Sequence, residues 1–352
     1  MPASETETGR RVLDLLRFAV PWDAAVAVVG TELESIGRRL VVPLSPDLTD
    51  ADAIERLEAL RGEGCEFLVV GSAAFDWLDA RPRLSEHLDT RYRLVDRDPE
   101  ACTVYALHGA AGRTGGDGLP LPPVDMIRMT SGLYRRASDP EAIYRRFEAT
   151  GAESAAFIRD KLSDNGVAME QLGSLLDFGC GCARVVRHWS DLPGAVHGSD
   201  YNPNLMRWCA ENLSFAEFLA NGAEPPLPYE DDTFDFLYSI SIFTHLEEPL
   251  QVPWMRELAR VARPGGLLLI TVSGTDHARS LPGWEDQFRE AFEAGRLVVR
   301  RPERTGSNAC AVFHPPSYVR DTLTRGLEIV DHEGGVAQAG RQDALLLRKP
   351  VS

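Results

Sequence analysis

The 352-residue sequence lacks a long hydrophobic segment, and its uncharged apolar runs are short, as at Leu267 to Val272. A membrane-spanning helix needs about 20 consecutive apolar residues. The first residues, MPASETETGRR, also lack the apolar stretch of a secretory signal peptide. We therefore expect a cytoplasmic protein with no membrane partner.

Positive charge is scarce, and the spacing of the cysteines does not match that of a disulfide framework. Lysine and arginine total 37 against 53 acidic residues, a formal net charge of −16. This charge repels a phosphate backbone, so we expect no nucleic-acid partner.

Six scattered cysteines predict reduced, buried thiols. No metal is predicted, because Cys180 and Cys182 lack a second ligand pair and Asp231, Asp232 and Asp235 resemble a solvated turn.

The composition, 44% hydrophobic and 26% charged, is typical of a folded globular protein. At about 150 residues per domain, the length predicts two domains. Residues 109–124 are rich first in glycine and then in proline, which indicates a linker. We predict a small accessory α/β domain over 1–108, this linker over 109–124, and a second domain over 125–352.

The first domain alternates apolar strand patterns with helical ones, which predicts a parallel or mixed sheet. We find no nucleophile, phosphate loop or metal cluster in it. Packing, dimerisation or gathering of a substrate are therefore the roles that we expect for it. The predicted strands lie at 24–30, 40–44, 67–71, 92–95 and 103–107, and the predicted helices at 51–61 and 77–88.

The second domain begins with Asp139-Pro140, a helix cap followed by proline, and the helix that it opens is expected to break near Gly151. Strands and helices then alternate, which predicts a doubly wound sheet. The predicted strands lie at 175–178, 195–199, 216–219, 234–240 and 267–272.

The segment LLDFGCGCARVVRHW places a strand ending in Asp177 before a glycine turn and a helix predicted to reach Trp189. Gly179 and Gly181 allow the backbone to come close to a ligand, and the helix offers its positive end. A nicotinamide dinucleotide fingerprint would place glycine or alanine where Arg184 stands. A nicotinamide-dependent oxidoreductase is therefore the weaker alternative.

Polar residues also follow the next three strands. Asp200 ends the second strand about 20 residues beyond the glycines, where a carboxylate can bind both ribose hydroxyls of a nucleoside. Asn221 and Gly222 end the third strand, and the fourth brings Ser239 and His245 to the same rim. A nucleoside ligand is therefore expected.

Residues 175–274 resemble the Rossmann-like, class I methyltransferases that use S-adenosylmethionine and act on small molecules. The resemblance implies a doubly wound α/β sheet of seven strands, the last one antiparallel at 344–348 beside 327–331. In this family the residue at Asp177 supports the methionine amino group, that at Asp200 binds the ribose, and that at Tyr201 flanks the adenine. The resemblance implies cofactor contacts for Asp177, Gly179, Cys180, Gly181, Asp200, Tyr201, Asn221, Gly222 and Ser239.

Methyl transfer depends mainly on positioning the acceptor and excluding water. An alcohol acceptor must also lose a proton, for which an imidazole is a suitable base. His245 is the first candidate, and His277 and His314 lie in the segment that forms the acceptor pocket in this family. We expect a small-molecule or glycan acceptor, methylated at a hydroxyl of a sugar or secondary metabolite, and a possible homodimer. Nitrogen or carbon methylation and a non-catalytic cofactor-binding protein remain alternatives.

Overall fold

The computed structural model describes residues 7–31, 41–108, 112–131, 134, 139–280, 286–301, 310–337 and 341–351. The chain divides into two compact units. The first contains residues 1–113 and 121–138, and the second contains residues 114–120 and 139–352. This division differs from the predicted one in the region of the linker.

The chain up to residue 130 contains the elements α1 (Glu7–Ala19), β1 (Val26–Val29), β2 (Val41–Pro43), α2 (Asp50–Gly62), β3 (Phe67–Gly71), α3 (Phe75–Asp79), α4 (Pro82–Arg91), β4 (Arg93–Asp98), β5 (Cys102–Ala106), β6 (Arg113–Thr114), β7 (Pro120–Leu121) and α5 (Val124–Thr130). The first unit contains a five-stranded mixed sheet in the order β2-β1-β3-β5-β4. In this sheet β2, β1 and β3 are parallel, and β5 is antiparallel to both of its neighbours, β3 and β4. One face of the sheet packs against α1 and the other against α2 and α4, in two separate apolar clusters.

Helix α5 explains why the division differs from the predicted linker. The side chains of Met126 and Ile127 are buried. Asp125 forms an ion pair with Arg93, and Arg128 forms a further pair with Asp23, with a distance of 3.2 Å between nitrogen and oxygen. Residues 121–131 are therefore tied to the first unit, although the prediction placed residues from 125 onward in the second domain.

The second unit contains a seven-stranded sheet in the order β10-β9-β8-β11-β12-β16-β15. Its elements are α6 (Pro140–Asp164), β8 (Ser174–Phe178), β9 (Ala195–Asp200), α7 (Pro203–Asn212), β10 (Glu217–Ala220), β11 (Phe234–Ser239), α8 (Glu248–Val261), β12 (Ala262–Val272), α9 (Thr275–Ser280), α10 (Asp286–Glu293), β13 (Val298–Arg300), β14 (Ala311–Phe313), α11 (Pro316–Tyr318), β15 (Glu328–Ala337) and β16 (Gln342–Arg348).

The first five strands of this sheet are parallel, and β16 runs antiparallel between β12 and β15. The predicted doubly wound, Rossmann-like sheet with an antiparallel last strand is confirmed. Successive strands are added from β8 towards β10, and the chain then crosses to the other side of β8, where β11 and β12 lie. The strand order therefore reverses at β8. Ligands of such sheets bind outside the carboxyl ends of the strands at this reversal. We call that side, where β8 to β12 end, the carboxyl edge.

Helix α6 begins as predicted, because the Asp139 side chain accepts hydrogen bonds from the first turn and Pro140 follows it. The expected break near Gly151 is wrong, since α6 continues to residue 164. Gly151 instead permits close packing: a Cβ atom there would lie 2.3 Å from the Arg184 carbonyl oxygen. The Arg184 guanidinium also donates to the Thr150 carbonyl at 2.7 Å.

The Gly151→Ala variant is expected to lower the free energy of unfolding by ~1 to 3 kcal/mol, because the added methyl group overpacks this contact. Alanine favours a helix more than glycine does, so any loss has a steric origin. Urea unfolding followed by circular dichroism measures the change. Gly62→Ala in α2 is the control, since nothing lies within 4 Å of the position that its added methyl group would take; it should be neutral or stabilising. A Gly151→Ala protein as stable as the parent would contradict the packing argument.

In the described part of the chain, none of the helices combines the length and the apolar character needed to cross a membrane.

Candidate active site

The turn after β8 is built from left-handed backbone. Gly179, Gly181 and Ala183 have φ angles of +81°, +56° and +64°, a region that favours glycine. A Cβ atom on Gly179 would lie 2.2 Å from Cδ1 of Ile242, so only glycine fits against the loop after β11. The helix predicted to reach Trp189 is reduced to a 3₁₀ turn at Val186–Trp189, because a positive φ at Ala183 cannot belong to a right-handed helix.

Asp200, at the end of β9, faces this turn. Its Oδ2 accepts a hydrogen bond from the Gly181 N–H at 3.0 Å, and its Oδ1 accepts one from the Asn202 N–H at 2.9 Å. Burial raises the pKa of Asp200 to about 6, whereas these two N–H groups act to lower it. The carboxylate is therefore held in one orientation, and each oxygen keeps a second lone pair for a ligand.

Asp177, on the neighbouring strand β8, is buried in a chain of hydrogen bonds. The Tyr238 hydroxyl donates to Asp177 Oδ2 at 2.8 Å, and the Trp189 indole N–H donates to the Tyr238 hydroxyl at 2.8 Å. Burial raises the pKa of Asp177 to about 7, while the Tyr238 hydrogen bond and the positive charge of Arg184 act to lower it. The sequence analysis did not identify Tyr238 or Trp189, since both read as ordinary core residues.

The side chain of Asn221, after β10, is engaged in its own turn. Its Oδ1 accepts from the Ser199 hydroxyl and its amide donates to the Gly222 carbonyl, both at 2.7 Å. Gly222 itself is exposed, and Tyr201 is half-buried beside the end of β9. The Asn221 side chain therefore has one oxygen lone pair left with which to contact a ligand.

Ser239 and Cys180 differ in what they offer to a ligand. Ser239 ends β11 and is fully buried, and among the described residues its hydroxyl oxygen has no hydrogen-bond partner. A buried polar atom without a partner costs about 1 to 3 kcal/mol, so this hydroxyl is suited to a polar group of a ligand. The Cys180 thiol is 3.8 Å from the Met206 sulfur, and burial raises its pKa well above the ordinary value. It is a packing thiol.

His245 lies in the 3₁₀ turn after β11, at the carboxyl edge. Its Nδ1 is 2.6 Å from the carbonyl oxygen of Cys310. Because a carbonyl oxygen only accepts hydrogen bonds, Nδ1 carries the proton and the lone pair of the neutral ring is on Nε2. This is the tautomer that a general base acting through Nε2 requires.

The other two predicted histidines differ in accessibility. His277 is half-buried in α9, and its Nδ1 is 3.1 Å from the Ser273 hydroxyl; burial lowers its pKa. His314 is 1% exposed, and burial lowers its pKa to about 3. A ring that is buried and so weakly basic cannot take a proton from an acceptor at neutral pH, so we withdraw His314 as a candidate base.

Gln251 of α8 holds the turn that carries His245. Its amide nitrogen donates to the carbonyls of Phe243 at 2.8 Å and Leu246 at 2.6 Å, on either side of His245. Its Oε1 lies 3.2 Å from Nε2 of His314. The sequence analysis missed Gln251, because a glutamine on an amphipathic helix gives no sign that it is fully buried.

A ring of hydrogen bonds holds the same loop to β16. The Ser241 N–H donates to the Thr271 hydroxyl, and that hydroxyl donates to Oε1 of Gln342, both at 2.7 Å. The Gln342 amide then donates to the Ser241 hydroxyl at 2.8 Å. The antiparallel strand thus fixes the path of the chain between Ser239 and His245.

Comparison with known proteins agrees with this geometry. Residues 176–270 match the family model described as a methyltransferase domain. Methyltransferase GfsG of Streptomyces halstedii is 35% identical over 102 residues, which are 27% of this chain and 36% of that protein. Demethylmenaquinone methyltransferase of Halalkalibacterium halodurans is 30% identical over 142 residues, which are 36% of this chain and 55% of that protein.

The chain therefore spans 36% and 55% of the lengths of these two relatives. Among solved structures, 1,6-didemethyltoxoflavin-N1-methyltransferase of Burkholderia thailandensis has 17% identity and a TM-score of 0.41, covering 58% of this chain and 79% of that one. The family match includes Asp177 near the end of β8, Asp200 at the end of β9 and Ser239 at the end of β11. Residues 176–270 thus match a methyltransferase domain, and they lie in a sheet with the doubly wound, Rossmann-like strand order.

Proposed function

We propose that this protein transfers a methyl group from S-adenosylmethionine to a hydroxyl group of a small acceptor, such as a sugar or another secondary metabolite. The observation that carries the proposal is the hydrogen bond between His245 Nδ1 and the Cys310 carbonyl, at 2.6 Å. It orients an imidazole at the carboxyl edge with its lone pair on Nε2. A hydroxyl acceptor needs such a base, since its proton must leave.

The residues at the carboxyl edge fit the cofactor. Gly179 and Gly181 have positive φ angles, which let the backbone of the turn come close to a ligand. Asp200 offers a fixed carboxylate to the ribose hydroxyls, and Asp177 offers one to the methionine amino group. The Ser239 hydroxyl, which has no hydrogen-bond partner among the described residues, offers a further polar contact. When bound, S-adenosylmethionine supplies a methyl carbon to the acceptor oxygen and keeps the electron pair of the broken carbon–sulfur bond.

His245 is assigned the proton transfer. Its Nε2 accepts the proton of the acceptor hydroxyl, and the Cys310 carbonyl stabilises the resulting imidazolium through Nδ1–H. Gln251 keeps this ring in place by its hydrogen bonds to the carbonyls of Phe243 and Leu246. His277 is the second candidate base, because it is half-buried rather than enclosed.

The His245→Ala variant is expected to lower the turnover number ~100-fold or more, because general-base catalysis contributes about that factor. Its affinity for S-adenosylhomocysteine should remain that of the parent. Turnover is measured as methyl transfer from labelled S-adenosylmethionine into a small-molecule extract of the native host. His277→Ala tests the second candidate base and should change turnover far less. An unchanged rate in His245→Ala would remove His245 as the base, and unchanged rates in both variants would favour a nitrogen or carbon acceptor.

The acceptor itself is best sought in the host. Comparison of its metabolites with and without this gene should show a species lighter by one methylene group when the gene is absent. If no extract supports release of S-adenosylhomocysteine although the protein binds it, the chain is a non-catalytic cofactor-binding protein.

The cellular location and the role of the first unit are also part of the proposal. All six cysteines are buried thiols outside any disulfide, which suits a reducing compartment such as the cytoplasm. We assign the first unit either to recruitment of the acceptor or to formation of a homodimer. Light scattering of the full chain distinguishes the two, because only the second requires twice the monomer mass.

A further inference from the structure

The direction of the hydrogen bonds that end on Asp177 is determined by the chemistry of the three side chains. An indole N–H can only donate, so Trp189 uses a lone pair of the Tyr238 oxygen. The single proton of the Tyr238 hydroxyl is then directed to Asp177 Oδ2, 2.8 Å away. Trp189 and Tyr238 are fully buried, so water cannot substitute for either partner.

We propose that Tyr238 is a positioning residue for cofactor binding: its hydroxyl, oriented by Trp189, favours the ionised form of the Asp177 carboxylate and directs it to the amino group of the methionine moiety. This inference rests on the proposed function. The backbone supports it, because Tyr238 and Asp177 are register partners on the adjacent strands β11 and β8. The two side chains therefore project from the same face of the sheet, next to each other.

Several groups besides Tyr238 act on the charge of Asp177. Burial raises its pKa to about 7, Arg184 from the turn lowers the pKa, and Asp200 from β9 raises it. The Cys180 thiol, on the turn, stays neutral because burial raises its pKa, and the same holds for Cys209 of α7. Burial likewise raises the pKa of Tyr238, so its hydroxyl remains a protonated donor through the neutral pH range in which Asp177 titrates.

The sign of the expected pH dependence follows from the charge of the ligand. A cationic amino group binds the ionised carboxylate, so affinity should increase as the pH rises through about 7, the pKa of Asp177. Loss of the Tyr238 hydroxyl removes a hydrogen bond that favours the ionised form, which raises this pKa. The increase in affinity should then occur at higher pH.

The test is calorimetric titration of the full chain with S-adenosylhomocysteine between pH 5.5 and 9. Tyr238→Phe should weaken binding about 10- to 100-fold near pH 7, the factor expected for one hydrogen bond to a charged group, and binding should recover towards the parental affinity at pH 9. Trp189→Phe keeps Tyr238 but removes its orienting donor, and should shift the profile in the same direction by a smaller amount.

Tyr229→Phe is the matched control. Its hydroxyl is also buried and, within the described ranges, has no hydrogen-bond partner, and its ring packs on Phe234 at the start of β11. This variant should keep the parental affinity and pH profile. A loss in Tyr238→Phe that is equal at every pH, or no loss at all, would overturn the positioning role. Absence of binding by the parent protein at every pH would instead overturn the proposed function.

Discussion

Replacement of Asp117 by alanine is expected to lower the free energy of unfolding by ~3 to 5 kcal/mol, because it leaves a buried guanidinium without its counter-charge. Arg187 is 1% exposed. Its Nε lies 2.5 Å from Asp117 Oδ2 and its Nη2 lies 3.0 Å from Oδ1, a two-point contact. The Leu119 and Pro120 carbonyls accept further hydrogen bonds from Nη2 but cannot neutralise the charge.

The pH dependence gives a second test of the same ion pair. Burial acts to raise the pKa of Asp117, but the hydrogen bonds from Arg187 and the Leu119 N–H lower it overall from the ordinary value of 3.8. A lowered pKa means that the stabilisation is fully present above pH 3.8 and is lost as the pH falls through the lowered pKa. The difference between the parent and Asp117→Ala should therefore shrink in acid.

Two further variants distinguish the loss of this buried ion pair from the general effect of removing a charged side chain. The stability of every variant is measured by unfolding in urea. Asp321→Ala removes the partner of Arg320 from a pair whose side chains are 65% and 63% exposed, and it should cost less than ~1 kcal/mol. Combining Asp117→Ala with Arg187→Met removes both charges and should restore much of the lost stability. Equal losses in Asp117→Ala and Asp321→Ala would show that burial of the pair is unimportant.

The Asp200→Ala variant is expected to weaken binding of S-adenosylhomocysteine by ~3 to 4 kcal/mol, which is roughly 100- to 1,000-fold, through the loss of charge-assisted hydrogen bonds to the ribose. The Gly181 N–H, which donates to Asp200 at 3.0 Å, would also lose its acceptor. Calorimetric titration at pH 8 measures the loss, because the Asp200 carboxyl, with a pKa of about 6, is ionised there.

Asp235→Ala is the matched control for Asp200→Ala. Its carboxylate likewise accepts two backbone N–H groups, from Gly173 at 2.8 Å and Ser174 at 3.0 Å. It lies near the start of β11, at the opposite edge of the sheet from Asp200. Asp235→Ala should lose stability but keep its affinity for S-adenosylhomocysteine. Normal binding by Asp200→Ala, or equal weakening in both variants, would refute the ribose contact.

Most strands of the two large sheets were predictable because buried strands read as apolar runs, such as Phe67 to Gly71, which the structure reproduces residue for residue. Helix α1 was missed although Val12, Leu16 and Ala19 follow helical spacing and are buried. The segment around them is short and rich in charged residues, so its apolar residues do not form a continuous run as those of a buried strand do. The division into two units differs from the predicted linker because local glycine and proline content cannot reveal that Asp117 pairs with Arg187, 70 residues away.

The site shows the same division between local and long-range information. Asp177, Asp200 and Ser239 could be proposed as neighbours because each lies at or next to the end of a recognisable strand, and the ends of parallel strands share one edge. Tyr238 and Gln251 could not, since each acts through hydrogen bonds to atoms that the sequence does not place beside it. His314 was misassigned for a related reason, because its burial depends on segments distant in the chain.

Titration of the full chain with S-adenosylhomocysteine and, separately, with NAD tests the proposed S-adenosylmethionine site most directly. At 100 times its dissociation constant, a ligand stabilises the folded protein by ~2.7 kcal/mol, which corresponds to a rise of a few degrees in melting temperature. We predict this rise with S-adenosylhomocysteine and none with NAD. An unchanged melting temperature with S-adenosylhomocysteine, or a rise with NAD alone, would contradict the assignment of the site.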